Sequence, residues 1–315
     1  MNQTETIPTE HEQDFAVDTM RKRYLKVDGT PKILPGETVY HYTSLDVLNE
    51  MCKEDGDLLC THFMSLNDSQ EFFFGANIVI NKLPAILSRA GVPRQKLGSF
   101  RKNACDTVLK KLREEILAPW ITSFSADPDS LYQWVAYTDR KQGGVAIGFN
   151  TTLLNSKVKA VQKNPNLNKL IGCRLEKCQY TDNVNLDSYI HSVVTSMMNR
   201  STNSSTTDRE TSILAAVYIL ASTIKNHSFS QEKESRLILL PTRKEALRRY
   251  KFVGGKPRIA TEFFGKNREL AKAISSVVIS PHGDRDKLVS TVNLLRQQYG
   301  LKFQIYQSDS SYNGR

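Results

Sequence analysis

The longest apolar run in the chain, Ile213–Ala221, is half the length of the roughly 18 residues that a membrane-crossing helix needs. A chain of 315 residues without such a span must bury its hydrophobic side chains by packing many short elements against one another. No membrane association is expected. The length suits two ordinary domains or one elaborated domain. With 39% apolar and 24% charged residues and a formal net charge of +10, the composition is that of a folded, soluble protein. The first eighteen residues carry Glu5, Glu10, Glu12, Asp14 and Asp18 with no Lys or Arg, opposite to a secretory leader, so a cytoplasmic location is expected. Cys52, Cys60, Cys105, Cys173 and Cys178 are odd in number and scattered. They are expected as reduced core residues, and no metal site is expected from their spacing.

The pattern of residues gives an α+β order. Residues 1–35 read as a tail or docking arm ending in the Pro35-Gly36 turn, and 36–310 as one domain. Thr38–Tyr40 suits a strand, followed by a helix capped by Ser44; Leu58–Phe63 suits a second strand, followed by a helix capped by Asn67-Asp68. A charged helix is expected over 93–117, strands over Trp120–Phe124 and Gly144–Phe149, and a short helix between them over Asp129–Tyr137. Apolar spacing from Leu186 to Met197 and from Leu214 to Ile224, with a Thr207/Glu210 capping box, predicts a helical pair. It is read as an insertion over about 185–226. Ser235–Leu240, Ile274–Ile279 and Phe303–Tyr306 complete the strands, with a helix over Asp284–Gln298 and a hairpin turn at Gly254-Gly255.

Four polar clusters stand at strand ends, where a rigid scaffold can present side chains to a cleft. In Tyr40-His41-Tyr42-Thr43-Ser44, a histidine offers one ring nitrogen as donor and the other as acceptor, suited to a ribose hydroxyl or a phosphate. It also suits a hydrogen-bonded turn, with Thr43 and Ser44 merely capping the helix. Ser65-Leu66-Asn67-Asp68, with Glu71 one turn on, is ordinary cap chemistry. Ser123-Phe124-Ser125 precedes Tyr132, Trp134 and Tyr137. The last two, at helical spacing, make either an aromatic platform for a flat ring or a piece of core. In Glu232-Lys233-Glu234-Ser235-Arg236, an extended chain would point both carboxylates and the arginine to one face, with Lys225 and His227 upstream to hold phosphate or depress a carboxylate pKa.

The order of these clusters, with Gly144-Val145-Ala146-Ile147-Gly148-Phe149 between them, resembles a widespread bacterial family, the domain of unknown function numbered 2971, from about Val39 to Ile238. Wider relatives of that family look like the ADP-ribosyltransferase fold. The resemblance implies two small, mostly antiparallel sheets with flanking helices and NAD bound, as a substrate, in the cleft between them. It implies that His41, supported by Thr43, holds the adenosine-side ribose, that Tyr132, Trp134 or Tyr137 faces the nicotinamide, and that Glu234 is catalytic, with Glu232 touching the acceptor. Tyr42, Asn67, Ser125 and Arg236 are further candidates for holding NAD. The chemistry needs a fixed carboxylate beside a developing oxocarbenium ion, and no metal.

Between Arg236 and Arg258 there are eight Lys or Arg residues against Glu245 alone. Arg243, Lys244, Arg248, Arg249 and Lys251, interleaved with Tyr250 and Phe252, are candidates for a nucleic-acid track, a site for the NAD pyrophosphate or a solvated face. The expected function is ADP-ribosyl transfer to a nucleic-acid or protein acceptor, as in a toxin or defence effector held by a partner or antitoxin protein. The rival expectations are a non-catalytic nucleotide-binding or nucleic-acid-binding module and an NAD glycohydrolase.

Overall fold

The computed structural model describes residues 36–68, 70–89, 118–163, 170–199, 206–264 and 267–310. The expected tail over 1–35, the expected helix over 93–117 and Cys105 lie outside the described residues, as do the side chains of Thr207, Glu210 and Arg243.

Strand β1 (Thr38–Thr43) leads into helix α1 (Leu45–Cys52), and the Ser44 hydroxyl accepts from the Val47 amide at 3.5 Å, capping the first turn. Strand β2 (Leu59–His62) leads into α2 (Gln70–Arg89), where the Asp68 carboxylate accepts from the Gln70 amide at 2.9 Å. Then come β3 (Trp120–Ser125), α3 (Leu131–Tyr137), β4 (Val145–Asn150) and α4 (Thr151–Lys163). Strands β5 (Leu170–Lys177) and β6 (Gln179–Tyr180) precede the pair α5 (Leu186–Asn199) and α6 (Thr206–Ala221). Strand β7 (Ile224–Lys225) and a short 3-10 turn over His227–Glu232 lead to β8 (Glu234–Pro241). Helix α7 (Arg243–Arg249), the hairpin β9 (Tyr250–Val253) and β10 (Lys256–Ala260), α8 (Glu269–Ala273), β11 (Ile274–Ile279), α9 (Arg285–Gln298) and β12 (Gln304–Gln307) complete the described order. Helix α4 and strand β5 were not anticipated from the sequence.

Two separate small sheets were expected, and here the structure differs. The described strands form one ten-stranded sheet, with β6 and β7 pairing apart from it. It is mixed, because β11 and β12 run parallel while its other pairs are antiparallel. The reason is β3. One edge pairs with β8 from Trp120↔Leu239 to Ser125↔Glu234. The other edge is shared: β1 meets it at Tyr40↔Ser125, and β2 meets it at Thr61↔Ile121 and His62↔Trp120. Because β3 takes partners on both edges, the hydrogen bonding is continuous, but a seam opens where β1 and β2 part.

Continuous apolar runs in the central strands, as in Val145–Phe149 and Leu237–Leu240, bury both sheet faces. One hydrophobic cluster lies under α2, α5 and α6, and joins Phe72, Val79, Tyr189 and Val217 to Ile121 and Ile238 of the sheet. The helical pair read as an insertion therefore supplies about half of this cluster. Gly75 lets α2 approach the end of α6, since a Cβ there would meet the Ala221 carbonyl oxygen at 2.6 Å. The second cluster lies on the opposite face, under α1, α4 and α9, with Leu48, Leu154 and Leu288 on Ile147 and Leu239. Cys52, Cys60, Cys173 and Cys178 are free and buried within the fold. Among the described residues, no helix is long and apolar enough to cross a membrane.

Candidate functional site

The seam beside β3 opens into a shallow pocket of about 310 Å³ when its open mouth is included. His41, Ser125, Tyr137 and Glu234 share its wall with Tyr40 and Gln133. These residues come from three strands and one helix, and the register explains their meeting. Tyr40 lies opposite Ser125 on one edge of β3, and Glu234 lies opposite Ser125 on the other.

His41 sits where β1 leaves β3. Its Nδ1 lies 2.9 Å from the Ser123 carbonyl oxygen. A carbonyl only accepts, so Nδ1 carries the proton and Nε2 keeps a lone pair for a ligand hydroxyl. Burial holds the imidazole below its ordinary range despite the Ser123 contact, and the Arg258 charge adds to that depression. A histidine held neutral in the fold favours folding fully above its unfolded value of 6.5. That contribution is lost as pH falls below 6.5, because the unfolded chain takes up the proton first. Chemical denaturation at pH 7.5 and pH 5 should therefore show a smaller loss on acidification for His41→Gln than for the native chain. An equal loss in both would contradict the neutral assignment.

Next to the pocket lies a buried ion network. Glu234 accepts from Arg236 in bidentate fashion, Nε to Oε1 at 2.7 Å and Nη2 to Oε2 at 3.0 Å, and from Lys225 Nζ at 2.6 Å. Lys225 Nζ also donates to Glu232 and lies 3.3 Å from Glu71, while Arg236 pairs with Glu71 at 2.8 Å and donates to the Ser222 carbonyl at 2.7 Å. Three carboxylates thus face two cations. Burial alone would raise the Glu234 pKa, but the charges of Arg236 and Lys225 overcome it and hold the carboxyl well below its ordinary range. Glu232 goes the other way, raised chiefly by burial.

The extended Glu-x-Glu geometry expected from the sequence is replaced by a kink. Glu232 closes the 3-10 turn, Lys233 is left-handed at φ 45°, and β8 begins only at Glu234. Both carboxylates still reach one ammonium because the kink turns Glu232 back toward Lys225. In the sequence Glu71 stands only as a residue one turn beyond the Asn67-Asp68 cap. Its pairing across the fold has no local sequence signal, since it depends on how α2 packs on the sheet.

The other candidates separate. Tyr42 lines the pocket, but its hydroxyl donates to the Asp127 carbonyl at 2.7 Å and accepts from the Ser130 amide at 2.8 Å, which holds the loop before α3. Ser125 is similarly engaged, donating to the Glu232 carbonyl at 2.8 Å and accepting from the Asp127 amide. Thr43 ends β1 opposite Val145. Asn67 is exposed and accepts from Lys256 Nζ at 3.2 Å.

Trp134 is not a platform. It is fully buried, edge-on to Tyr42, with its indole N–H donated to Asp129 at 2.7 Å. Tyr137, 39% exposed, and Tyr132, 48% exposed, are the open aromatic surfaces on α3. Helical spacing sets which residues share a face but not which face meets the core.

The basic run also divides. Arg249 is buried and donates to Glu245 at 2.8 Å and to the Thr261 carbonyl at 2.9 Å. Arg248 donates to Glu245 and, at 2.6 Å, to Glu262. Two of the five cations proposed for nucleic acid are thus committed within the fold, because Glu245 lies one turn before both on α7 and Glu262 follows β10 back to that helix. Lys244 and Lys251 are exposed.

No curated protein and no solved structure matches the chain. Residues 133–237, a third of the chain and the part holding Tyr137, Glu232, Glu234 and Arg236, match the sequence model of a protein family of unknown function, DUF2971.

Proposed function

We propose that the chain acts on the glycosidic bond of NAD, as an ADP-ribosyltransferase-like enzyme. The observation that carries this reading is the convergence of His41, Tyr137 and Glu234 on one open pocket. In it, the free Nε2 of His41 accepts from a ribose hydroxyl, and the exposed face of Tyr137 lies against the nicotinamide. The ionised Glu234 supplies fixed negative charge beside the anomeric carbon. The C–N bond breaks with its electron pair leaving on nicotinamide. The acceptor oxygen or nitrogen then bonds to the anomeric carbon and loses its proton. Glu232, whose carboxyl is held high by burial, orients that acceptor. The acceptor is a nucleic acid or a protein, and water in its place makes the same site a glycohydrolase.

A second reading has one specific observation in its favour. Both Glu234 oxygens are already engaged by Arg236 and Lys225, which countervails its charge and suits a pocket that binds a nucleotide without cleaving it.

Nicotinamide release from NAD, measured alongside calorimetric NAD binding, separates the two. Wild-type protein is expected to release nicotinamide, and Glu234→Gln to reduce the rate by about 10²-fold or more while NAD still binds. Melting curves must show that the variant is folded. NAD binding without release by the wild type would favour the binding module. Neither binding nor release would sink both readings.

A further inference from the structure

The hairpin of β9 and β10 carries Lys251, Lys256 and Arg258, and the segment from Tyr250 to Ala260 holds no acidic residue. Its register sorts these side chains. Arg258 pairs directly with Lys251, and Lys256, two residues before Arg258 on the same strand, shares their face. Tyr250 and Phe252 pair with Ile259 and Pro257 and so occupy the other face. The aromatic and basic residues that alternate in sequence are therefore on opposite sides, which argues against a single base-stacking track.

Like charges directly opposed across two strands destabilise a sheet unless an anion lies between them. Among the described residues, no carboxylate pairs with Arg258, and its Nε is buried without a hydrogen-bond partner. Burial lowers the pKa of this guanidinium, so its charge is held against a desolvation cost. Contrast Arg248 and Arg249 a few residues earlier, which are both paired with carboxylates.

The cationic face looks onto the pocket side of the sheet. Arg258 pairs with Thr61 on β2, and Thr61 pairs with Ile121 on β3. Ile121, Ser123 and Ser125 alternate onto one face, and Glu234 shares it opposite Ser125. Arg258 thus lies two strands from β3, about 10 Å across the sheet, beside the seam that holds His41.

We propose that Arg258, with Lys251 and Lys256, forms an anion subsite that takes the pyrophosphate of a nucleotide whose sugar lies in the His41 pocket. The subsite rests on the proposed pocket reading for the position of its ligand, but its own chemistry is separable. A planar guanidinium with free donors matches a phosphate bidentately, and the two lysines add point charges along the hairpin.

Inorganic pyrophosphate is the first probe, measured by calorimetry on the full chain, followed by ADP-ribose and a short single-stranded RNA. Pyrophosphate and ADP-ribose are expected to bind, and Arg258→Met to weaken both by about 10-fold or more with the melting temperature unchanged. Lys251→Ala, at an exposed position, is expected to give a smaller loss and serves should Arg258→Met fail to fold. Pyrophosphate binding that ignores both substitutions overturns the subsite. RNA binding that needs Arg258, with no binding of pyrophosphate or ADP-ribose, overturns it in favour of nucleic acid. Pyrophosphate binding that needs Arg258 in a protein that does not bind NAD leaves the subsite standing and removes the NAD reading. NAD binding untouched by Arg258→Met does the reverse.

Discussion

Arg236→Met is expected to lower the stability of the protein by about 3–5 kcal/mol at neutral pH, the range found when one partner of a buried ion pair is removed. Methionine keeps much of the volume, so the loss is electrostatic. Glu234, only 5% exposed, would be left with Lys225, which already serves Glu232 and Glu71. Three carboxylates would then face one ammonium. The pH dependence tests the cause. Glu234 has its pKa depressed in the fold, so its contribution is present above its unfolded value of 4.5 and is lost as pH falls below that value. The deficit of Arg236→Met, read from urea midpoints, should therefore shrink as pH is lowered through the acid range. A deficit that is constant with pH would point to packing and not to charge. The same result bears on the chemistry, because a Glu234 substitution that loosens this network would lose activity without having any direct part in bond cleavage.

Trp134→Ala should cost a similar amount, about 3–5 kcal/mol, through a cavity that the surroundings cannot fill. Trp134 is fully buried, its ring centroid lies 4.6 Å from that of Tyr42, and its indole N–H bonds Asp129 at 2.7 Å. Asp129 in turn accepts from the Ser308 hydroxyl at 2.5 Å and the Asp309 amide at 2.8 Å, so the indole also ties α3 to the segment after β12. Trp134→Phe keeps most of the bulk and gives up the hydrogen bond, so its cost should be about 1–3 kcal/mol, that of a buried group left unpaired. Denaturant titration of both variants separates the two contributions. Equal losses would mean that the Asp129 contact, not the buried volume, governs the site. Wild-type stability in Trp134→Ala would contradict the buried placement and reopen the platform role.

The split of Trp134 and Tyr137 shows where the sequence stops being informative. Their spacing predicted one helix and one shared side, and α3 has both residues. It did not say which residue would meet the core. That was decided by Tyr42 arriving from β1 and by Asp129 accepting the indole N–H, contacts set by strand order. Arg248 and Arg249 follow the same logic. As a run of cations they resembled Lys251, but Glu245 pairs with both within one turn of α7, and Glu262, returning after the hairpin, adds the partner that no local pattern records.

What the sequence determined by itself is local. Period-2 and period-3.6 patterns set β1, β4, β11 and α9, and Ser44, Asp68 and Asp284 capped the helices that follow them. Gly254-Gly255 turned the hairpin with φ of 59° and 73°. These effects act within a few residues, where backbone sterics and nearby hydrogen bonds decide the outcome. The tertiary structure decided the rest: one sheet instead of two, because β3 is paired on both edges; the packing of α5 and α6 on α2 and the sheet; and Glu71 joined to Lys225 and Arg236. Each depends on strand register and on which buried charges find partners, energies shared among groups as distant in the chain as Glu71 and Arg236, and no local pattern records them.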